Sequence, residues 1–305
     1  MLDISVIILT LNEELHIRRC IENVRSIAKQ IFVVDCFSTD RTVDIAKELG
    51  AEVHQHEWPG NQAAQFNWAL ENLPIATEWV LRLDADEYLT SGLITEMDEQ
   101  LPKLSGDITA VVFPLGRAFM GRVLKHGIVN SVKMIRLFRY GKACYEQRLM
   151  DEHIVVKSGR TVTFKNQFID DSLLSIKQFV DKHNHYSSRE AALLLDAEYH
   201  LFDLDTDDAS YCEDVQKKRA QKMKYAKMPL FWRSFAYFCY RYIVKLGFLD
   251  GKEGFLWDFL QGWWYRTLVD AKILEIKKTC GQDAKKIRKY LIDNYSGCYY
   301  SRFLY

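Results

Sequence analysis

Residues 4–10 (ISVIILT), 31–34 (IFVV) and 79–83 (WVLRL) are short apolar stretches that decide the fold, and 51–54 (AEVH) is a weaker fourth. Apolar runs of this length are typical of strands that are buried on both faces of a parallel sheet. The segments between them carry apolar residues at helical spacing, and one of these helices is predicted to stop at Gly50. Strands that alternate with helices predict an α/β fold with a mostly parallel sheet and helices on both faces.

Composition excludes several classes of protein. The chain has 305 residues, with 48% apolar and 27% charged side chains, which excludes disorder for most of its length. No uncharged apolar run reaches the roughly 20 residues that a membrane-spanning helix needs. Met1–Ile8 has no basic segment before its apolar residues, so we expect a first strand and not a signal peptide. The seven scattered cysteines form no CxxC pair, which favours reduced thiols in the cytoplasm and no zinc site.

Charge and pattern predict three regions. The chain as a whole has 41 basic and 41 acidic residues, yet residues 215–305 carry 19 basic against 7 acidic ones. We predict one half of an α/β domain over 1–105, a second half of the same domain over 106–195, and an acidic loop followed by a basic, aromatic helical region over 196–305. Within the second region the predicted elements are extended stretches over 108–114, 131–139 and 146–156 and a helix over 175–195.

Polar clusters follow three of the predicted strands. Thr10 begins one cluster, Asp35 another, and Asp84-Ala85-Asp86 the third. Ligands of parallel α/β sheets bind at the carboxyl ends of the strands, so these clusters predict one acidic crevice. Two carboxylates one residue apart can hold Mg²⁺ or Mn²⁺ while leaving positions open for phosphate oxygens. The alternative is a solvated turn after the strand.

The other polar residues in these clusters have two interpretations. Asp35 is predicted to accept a hydrogen bond from a base or a ribose, because a strand end buried in a sheet is an unusual place for a surface carboxylate. Asn12 and Glu13 are either nucleotide contacts or caps of the first helix.

Several stretches together resemble the inverting glycosyltransferases of family 2, which have the GT-A fold. They are SVIILTLNEE, IFVVDCFSTDRTVDIAKELGAEV, WPGNQAAQFNWAL and WVLRLDADEYLT, followed by GRVLKHG, KMIRLFRYGKACYE, MDEHIVV, KHNHYSSREA and GFLDGKEGF. Their order is similar to that in the bacterial lipopolysaccharide-core β-glucosyltransferase group. The resemblance covers most of the chain, apart from the acidic stretch near 196–214 and the last thirty residues.

The resemblance implies that residues 1–105 bind the nucleotide sugar and that residues 106–195 carry acceptor binding and catalysis. It also implies roles for individual residues. The nucleotide-sugar contacts that it implies are Thr10, Asn12, Asp35, Gln65, Asn67 and Asp84. It implies metal binding by Asp84 and Asp86, with Mg²⁺ or Mn²⁺ as the cofactor. Glu152 matches the acidic residue that deprotonates the acceptor hydroxyl, and the adjacent Asp151, which departs from the group's pattern, leaves the choice of base open. Phe66 stands where the group usually has a lysine or arginine.

Four basic side chains are candidate contacts to the acceptor or the diphosphate: Arg122, His126, His153 and His183. The alternative for the first two is an ordinary basic loop. For His153 and His183 the alternative is a structural histidine, which is the more common role of a single histidine in a fold.

The segment from Phe231 to Leu246 is predicted to be an amphipathic helix. Arg233, Arg241 and Lys245 share one face in a helical projection, and aromatic and aliphatic residues cover most of the rest. This pattern predicts a helix in the membrane interface, with the basic face towards anionic headgroups. The alternative is a helix pair that packs on the catalytic domain. Nucleic acid is not expected as a partner, because no recognition motif is present.

These observations predict a metal-dependent glycosyltransferase at the cytoplasmic face of the cell membrane. It would move a sugar, with glucose expected, from a nucleoside-diphosphate sugar to a lipid-linked saccharide, a lipopolysaccharide core or an exopolysaccharide. A nucleotidyltransferase is the first alternative, but residues 11–14 (LNEE) are acidic where such an enzyme has a glycine-rich basic loop. A membrane-bound scaffold without turnover is the second alternative, and the intact Asp84/Asp86 pair argues against it.

Overall fold

The computed structural model describes residues 1–129, 132–146, 153–202, 225 and 228–299, with side chains up to residue 294. The chain divides into two compact units, Met1–Leu173 and Leu174–Tyr305. Among the described residues, no helix is long and apolar enough to cross a membrane.

The first unit is built around a mixed β-sheet. Its strands are β1 (Ile4–Thr10), β2 (Gln30–Asp35), β3 (Glu52–Gln55), β4 (Trp79–Asp84), β5 (Glu87–Leu89), β6 (Ile108–Phe119), β7 (Arg122–Leu124), β8 (Lys133–Arg139), β9 (Ala143–Tyr145), β10 (Ile154–Val156), β11 (Arg160–Thr163) and β12 (Phe168–Asp171). Its helices are α1 (Ile17–Val24), α2 (Thr42–Glu48), α3 (Gln62–Asn72) and α4 (Ser91–Gln100), with a 3₁₀ turn at Leu101–Lys103.

The order of the strands brings the predicted crevice together. The main sheet runs β3-β2-β1-β4-β8-β6-β12-β5, and β7 and β11 also pair with β6. The four strands from β3 to β4 are parallel, as the sequence predicts. The chain moves outward from β1 to β2 and β3 and then returns to β4 on the other side of β1, so the strand order reverses at β1. Because Thr10 lies opposite Asp35, and Leu9 opposite Asp84, the three polar clusters meet at this switch point.

Alternation along the strands divides the apolar core into two layers. Val6 and Ile8 of β1 pack in one layer, and Ile7 packs in the other, where Phe66 of α3 is also fully buried. Each of these side chains is shielded from water on its own side of the sheet. Burial on both faces explains why the strands are continuously apolar and not alternating.

The second unit is helical. It contains α5 (Ile176–Tyr199), α6 (Trp232–Cys239), a π-helical segment (Tyr240–Val244), a 3₁₀ turn (Gly247–Asp250), α7 (Gly251–Trp257), a second π-helical segment (Asp258–Trp264), α8 (Tyr265–Cys280) and α9 (Ala284–Tyr299). Helix α5 begins with a capping box, in which Ser175 and Gln178 satisfy each other's backbone N–H groups. Ala191 of α5, Ile273 of α8 and Leu291 of α9 meet in a common apolar core.

The predicted basic face of residues 231–246 is wrong for its two arginines. Arg233 is 2% exposed and donates from Nε to Asp270 at 2.8 Å, and the buried Arg241 donates to Asp258 at 2.8 Å. Both charges are therefore neutralised inside the second unit, and they cannot face lipid headgroups. The predicted single helix also ends early, since it changes to π-helical geometry at Tyr240.

Candidate active site

The ends of β1 and β2 are joined through a buried carboxylate. Asp35 is fully buried, and its Oδ1 accepts hydrogen bonds from Thr10 Oγ1 at 2.9 Å and from Ser38 Oγ at 2.5 Å. The backbone N–H of Ser38 donates to Oδ2 at 2.8 Å. These bonds fix the loop after β2, so Asp35 organises the edge of the crevice where a nucleotide contact is predicted.

Asn12 and Glu13 hold the loop after β1 against the loop after β2. Asn12 adopts a left-handed conformation with φ 58°, and its Oδ1 accepts from the backbone N–H of Thr39 at 2.8 Å. Glu13 Oε2 lies 2.7 Å from Nδ1 of the buried His16. Because His16 Nε2 accepts from the N–H of Leu173 at 2.9 Å, Nδ1 carries the proton and donates to Glu13. Neither residue caps α1, whose first turn is capped by no side chain.

Helix α3 carries the predicted contacts Gln65 and Asn67. Gln65 is fully buried, and its Oε1 lies 2.6 Å from His56 Nδ1. Asn67 pairs with the backbone of Tyr145 in both directions, with two hydrogen bonds of 2.9 Å. Both amides therefore fasten α3 to its neighbours, and the predicted nucleotide contacts would have to share or replace these hydrogen bonds.

Phe66 replaces a cation with an apolar core residue. It is fully buried and packs edge-on against Phe138 and Tyr145, with centroid distances of 6.3 and 5.4 Å. A lysine or arginine at this position would have to leave the core to reach a ligand. Phe66 therefore contributes to the packing of α3 and does not replace the cation as a ligand contact.

The end of β4 holds a dense group of charges. Asp84 Oδ1 accepts from Arg82 Nη2 at 2.7 Å, and Arg136 of β8 approaches Oδ2 at 3.4 Å. Arg136 also pairs with Glu87, which is 3% exposed and accepts from the backbone N–H of Asp84 at 3.0 Å. Burial raises the pKa of Glu87 well above its usual range, and the negative charge of Asp84 raises it further. Glu87 and Arg136 thus form a buried ion pair directly beside Asp84.

Two donor nitrogens of the Arg136 side chain are buried without a hydrogen-bond partner among the described residues. The residue is 3% exposed, and these two nitrogens are Nε and Nη1. A buried donor without a partner costs roughly 1–3 kcal/mol, so an anionic ligand that accepts from it would be favoured. This donor lies on the side chain that also approaches Asp84.

Hydrogen bonds to its backbone carbonyl hold Asp86 in place. Its carbonyl oxygen accepts from Arg19 Nη2 at 3.3 Å and from the N–H of Asp171 at 2.9 Å. Arg19 Nη1 and Nη2 also donate to the side chain and the carbonyl of Asp171, both at 2.5 Å. The guanidinium of Arg19 thus clamps the turn that carries Asp86 to the end of β12, while the half-buried Asp86 remains within reach of solvent.

The donors at the end of β4 fit a hard divalent cation. Asp84 and Asp86 supply carboxylate oxygens, which Mg²⁺ and Mn²⁺ prefer, and two protein ligands leave positions for phosphate oxygens and water. Among the described residues, no group of three or more histidine, cysteine, aspartate or glutamate side chains is arranged to hold a metal. The two aspartates would therefore hold such an ion jointly with a ligand.

The remaining predicted residues are spread over the chain. Arg122 is exposed on β7, and His126 is half-buried in the following turn. His153 is half-buried, and its carbonyl accepts from the N–H of Glu146 at 3.0 Å. Asp151 and Glu152, the predicted catalytic carboxylates, lie outside the described residues.

His183 lies in the second unit, on α5. Its ring stacks on Phe179 with a centroid distance of 3.8 Å, Nδ1 bonds to the carbonyl of Phe179, and Nε2 lies 2.6 Å from Gln261 Nε2. These contacts are those of a structural histidine. The predicted contact of His183 with acceptor or diphosphate stays a prediction.

Three charged residues of this site were not predicted from the sequence: Arg19, Arg82 and Arg136. Arg82 interrupts the apolar run of β4, and Arg136 stands between Ile135 and Leu137 in β8; a charge among apolar strand residues is a signal for a buried charge that needs a partner. No sequence signal distinguishes Arg19 from the other basic residues of α1.

Fold and site together define a mixed α/β protein with carboxylates at adjacent strand ends, at a topological switch point of the sheet. Residues 5–160 match the family described as Glycosyl transferase family 2. The chain is 30% identical over 262 residues to an uncharacterized glycosyltransferase of Rickettsia typhi, covering 83% of this chain and 80% of that one. The chain therefore belongs to glycosyl transferase family 2.

Other similar proteins carry more specific names. The lipopolysaccharide core biosynthesis glycosyltransferase LpsC of Rhizobium meliloti is 28% identical over 203 residues, which cover 62% of this chain and 71% of LpsC. A solved structure of glucosyl-3-phosphoglycerate synthase from Mycobacterium tuberculosis, in complex with Mn²⁺, UDP and glucosyl-3-phosphoglycerate, is 22% identical with a TM-score of 0.31. The match covers 38% of this chain and 44% of that synthase.

Proposed function

We propose that this family 2 member is a metal-dependent, inverting glycosyltransferase of the GT-A type. Its donor is a nucleoside-diphosphate sugar, with UDP-glucose expected, and its acceptor is a lipid-linked saccharide of the lipopolysaccharide core or an exopolysaccharide. The observation that carries the proposal is the meeting of Asp84, Asp86 and Asp35 at one edge of the sheet. The similarity to LpsC supports the choice of acceptor.

Different strand ends are proposed to bind different parts of the donor. Thr10 and Asp35 lie together at the ends of β1 and β2, where the proposed donor places its base and ribose. Asp84 and Asp86 would hold Mg²⁺ or Mn²⁺. The cation, when bound, supplies positive charge that stabilises the diphosphate as it leaves. Arg136 places a positive charge beside Asp84, at the same strand end.

The proposed reaction is a single displacement at the anomeric carbon. Asp151 or Glu152 removes the proton from the acceptor hydroxyl, the new bond forms between that oxygen and the anomeric carbon, and the bond to the diphosphate oxygen breaks. The nucleoside diphosphate leaves with the bonding electrons. Because the acceptor attacks opposite the leaving group, one displacement inverts the anomeric centre, and no covalent sugar-enzyme intermediate is needed.

Asp86→Asn tests the proposal directly. The variant keeps the size of the side chain and removes its charge, so we expect release of nucleoside diphosphate to fall by about 100-fold or more. The measurement is product release from UDP-, GDP- and dTDP-sugars with Mn²⁺ and a lipopolysaccharide-core acceptor. The control is Asp3→Asn, which removes an exposed carboxylate paired with Lys29 at the start of β1. Full activity of the Asp86 variant at saturating substrate would contradict the metal assignment.

A further inference from the structure

The segment from Tyr240 to Lys252 exposes apolar side chains that a folded domain normally buries. Ile243 is 59% exposed, Val244 64% and Leu249 50%. We call this segment the apolar tip, and its other exposed large apolar residues are Tyr240, Leu246 and Phe248. Six such side chains within thirteen residues form a surface of the kind that marks an interaction site.

Buried contacts to Asp258 hold the apolar tip in place. The buried Arg241 pairs with Asp258, and Gly247 packs so closely on Asp258 that a Cβ at this position would overlap its carboxylate. Leu246 is held at φ 59°, a strained conformation for a leucine. The buried charges thus hold the chain so that the apolar side chains point outward.

Packed aromatic rings on the inner side of the apolar tip support it. The ring of Tyr242 contacts those of Phe248 and Phe255 with centroid distances of 6.1 and 5.5 Å, and it stacks on Phe238 at 5.5 Å. Backbone hydrogen bonds close the turns, including Lys245 N to the Tyr240 carbonyl at 2.9 Å. The surface is therefore organised before any partner binds.

The exposed charges of the apolar tip are all positive. Lys245 and Lys252 are exposed, whereas Asp250, the one acid in this stretch of sequence, is 3% exposed. Apolar side chains with lysines among them suit the boundary between anionic headgroups and acyl chains, where a lysine keeps its ammonium group at the headgroups. A second copy is a poorer partner, because a two-fold interface brings the same surface, with the same two lysines, against itself.

We infer that the apolar tip inserts into the surface of an anionic lipid bilayer. The apolar side chains enter the headgroup–acyl boundary, and Lys245 and Lys252 contact the headgroups. This surface differs from the basic face predicted from sequence, since Arg233 lies outside the apolar tip and Arg241 is buried within it. The inference rests on the proposed function in one respect: an enzyme whose acceptor is linked to a lipid has to bind the membrane that holds this acceptor.

Flotation of the full chain with lipid vesicles tests the inference. We expect binding to vesicles of equal parts phosphatidylcholine and phosphatidylglycerol, and weaker binding to phosphatidylcholine alone. Ile243→Ser with Val244→Ser should lower partitioning by about ten-fold or more. Lys245→Gln, which also removes a cation–π contact with Tyr240 at 5.5 Å, and Lys252→Gln should each lower it by about five-fold at low ionic strength.

Matched controls come from the same unit. Ile176→Ser changes an exposed isoleucine at the start of α5, and Lys278→Gln removes an exposed lysine of α8. Both should partition as the wild type does. The inference is overturned if the wild type fails to float with anionic vesicles, or if the tip variants float as well as the controls. It is also overturned if light scattering shows a wild-type dimer that the Ile243/Val244 variant converts to a monomer.

The two proposals can fail separately. Donor hydrolysis in the absence of vesicles reports on the crevice, and flotation without donor reports on the apolar tip. Tip-dependent flotation without any sugar transfer would overturn the proposed function alone. Metal-dependent donor turnover without flotation would overturn the membrane inference alone.

Discussion

At the residue scale, the turn that carries Asp86 depends on one guanidinium. Arg19 contacts the carbonyl of Asp86 and both the side chain and the carbonyl of Asp171, which joins α1, β4 and β12 at one point. The planar fork of an arginine presents two nitrogens to Asp171 at once and reaches the Asp86 carbonyl from one of them. Arg19 is thus a positioning residue for the proposed metal ligand and does not itself contact the ion.

Arg19→Met should weaken metal use more than it weakens folding. We expect the Mn²⁺ concentration for half-maximal donor turnover to rise about ten-fold, because small displacements of a ligand cost catalysis heavily. The measurement is donor turnover against Mn²⁺ concentration, with the thermal midpoint as a check on folding. Arg18→Met is the control, since Arg18 lies on the same helix and makes only exposed ion pairs with Glu22 and Glu48. Equal Mn²⁺ dependence of the two variants would disprove the positioning role.

At the element scale, the turn between α6 and α7 depends on a buried acid. Burial raises the pKa of Asp258 to about 6, against the opposing effect of Arg241. A carboxyl group whose pKa is raised in the folded state binds protons more tightly there than in the unfolded chain. Its contribution to stability is therefore complete below the unfolded pKa near 4, and is lost as pH rises through about 6.

Asp258→Asn should remove this pH dependence. Between about pH 6 and pH 4, the wild type should gain unfolding free energy relative to the variant as the pH falls. Thermal unfolding of both proteins at several pH values in this range provides the comparison. Because the other carboxyl groups are the same in both proteins, the difference between them isolates Asp258. A difference that stays constant, or that changes in the opposite direction, would refute the assignment.

At the scale of the whole molecule, ligand binding should stabilise the folded chain by mass action. A ligand at 100 times its dissociation constant adds about 2.7 kcal/mol to the unfolding free energy, which corresponds to a rise of roughly 5 °C in the thermal midpoint. We expect this rise with one nucleoside diphosphate and Mn²⁺ together, and not in the Asp86→Asn variant. An equal rise without metal, or with every nucleotide tested, would argue against a specific metal-bridged site.

Much of the first unit was predictable because its signals are local. The strands Ile4–Thr10 and Trp79–Asp84 appear as apolar runs, and their polar ends follow directly. The placement of Asp35 beside Thr10 follows from parallel pairing alone. The partners of those ends did not follow from local pattern, since Arg136 reaches Asp84 from a strand some fifty residues later in the chain.

The sequence by itself determined the parallel sheet and the polar ends of its strands. Each of these depends on the apolar or polar character of consecutive residues, which is visible along the chain. Only the tertiary structure decided which face of residues 231–246 is buried. Helical periodicity separates two faces but does not say which one meets the interior, and here Asp258 and Asp270 neutralise the arginines that would otherwise face water. With those ion pairs buried, the segment leaves Trp232, Ile243 and Val244 exposed, whereas Phe238 packs inside together with the arginines.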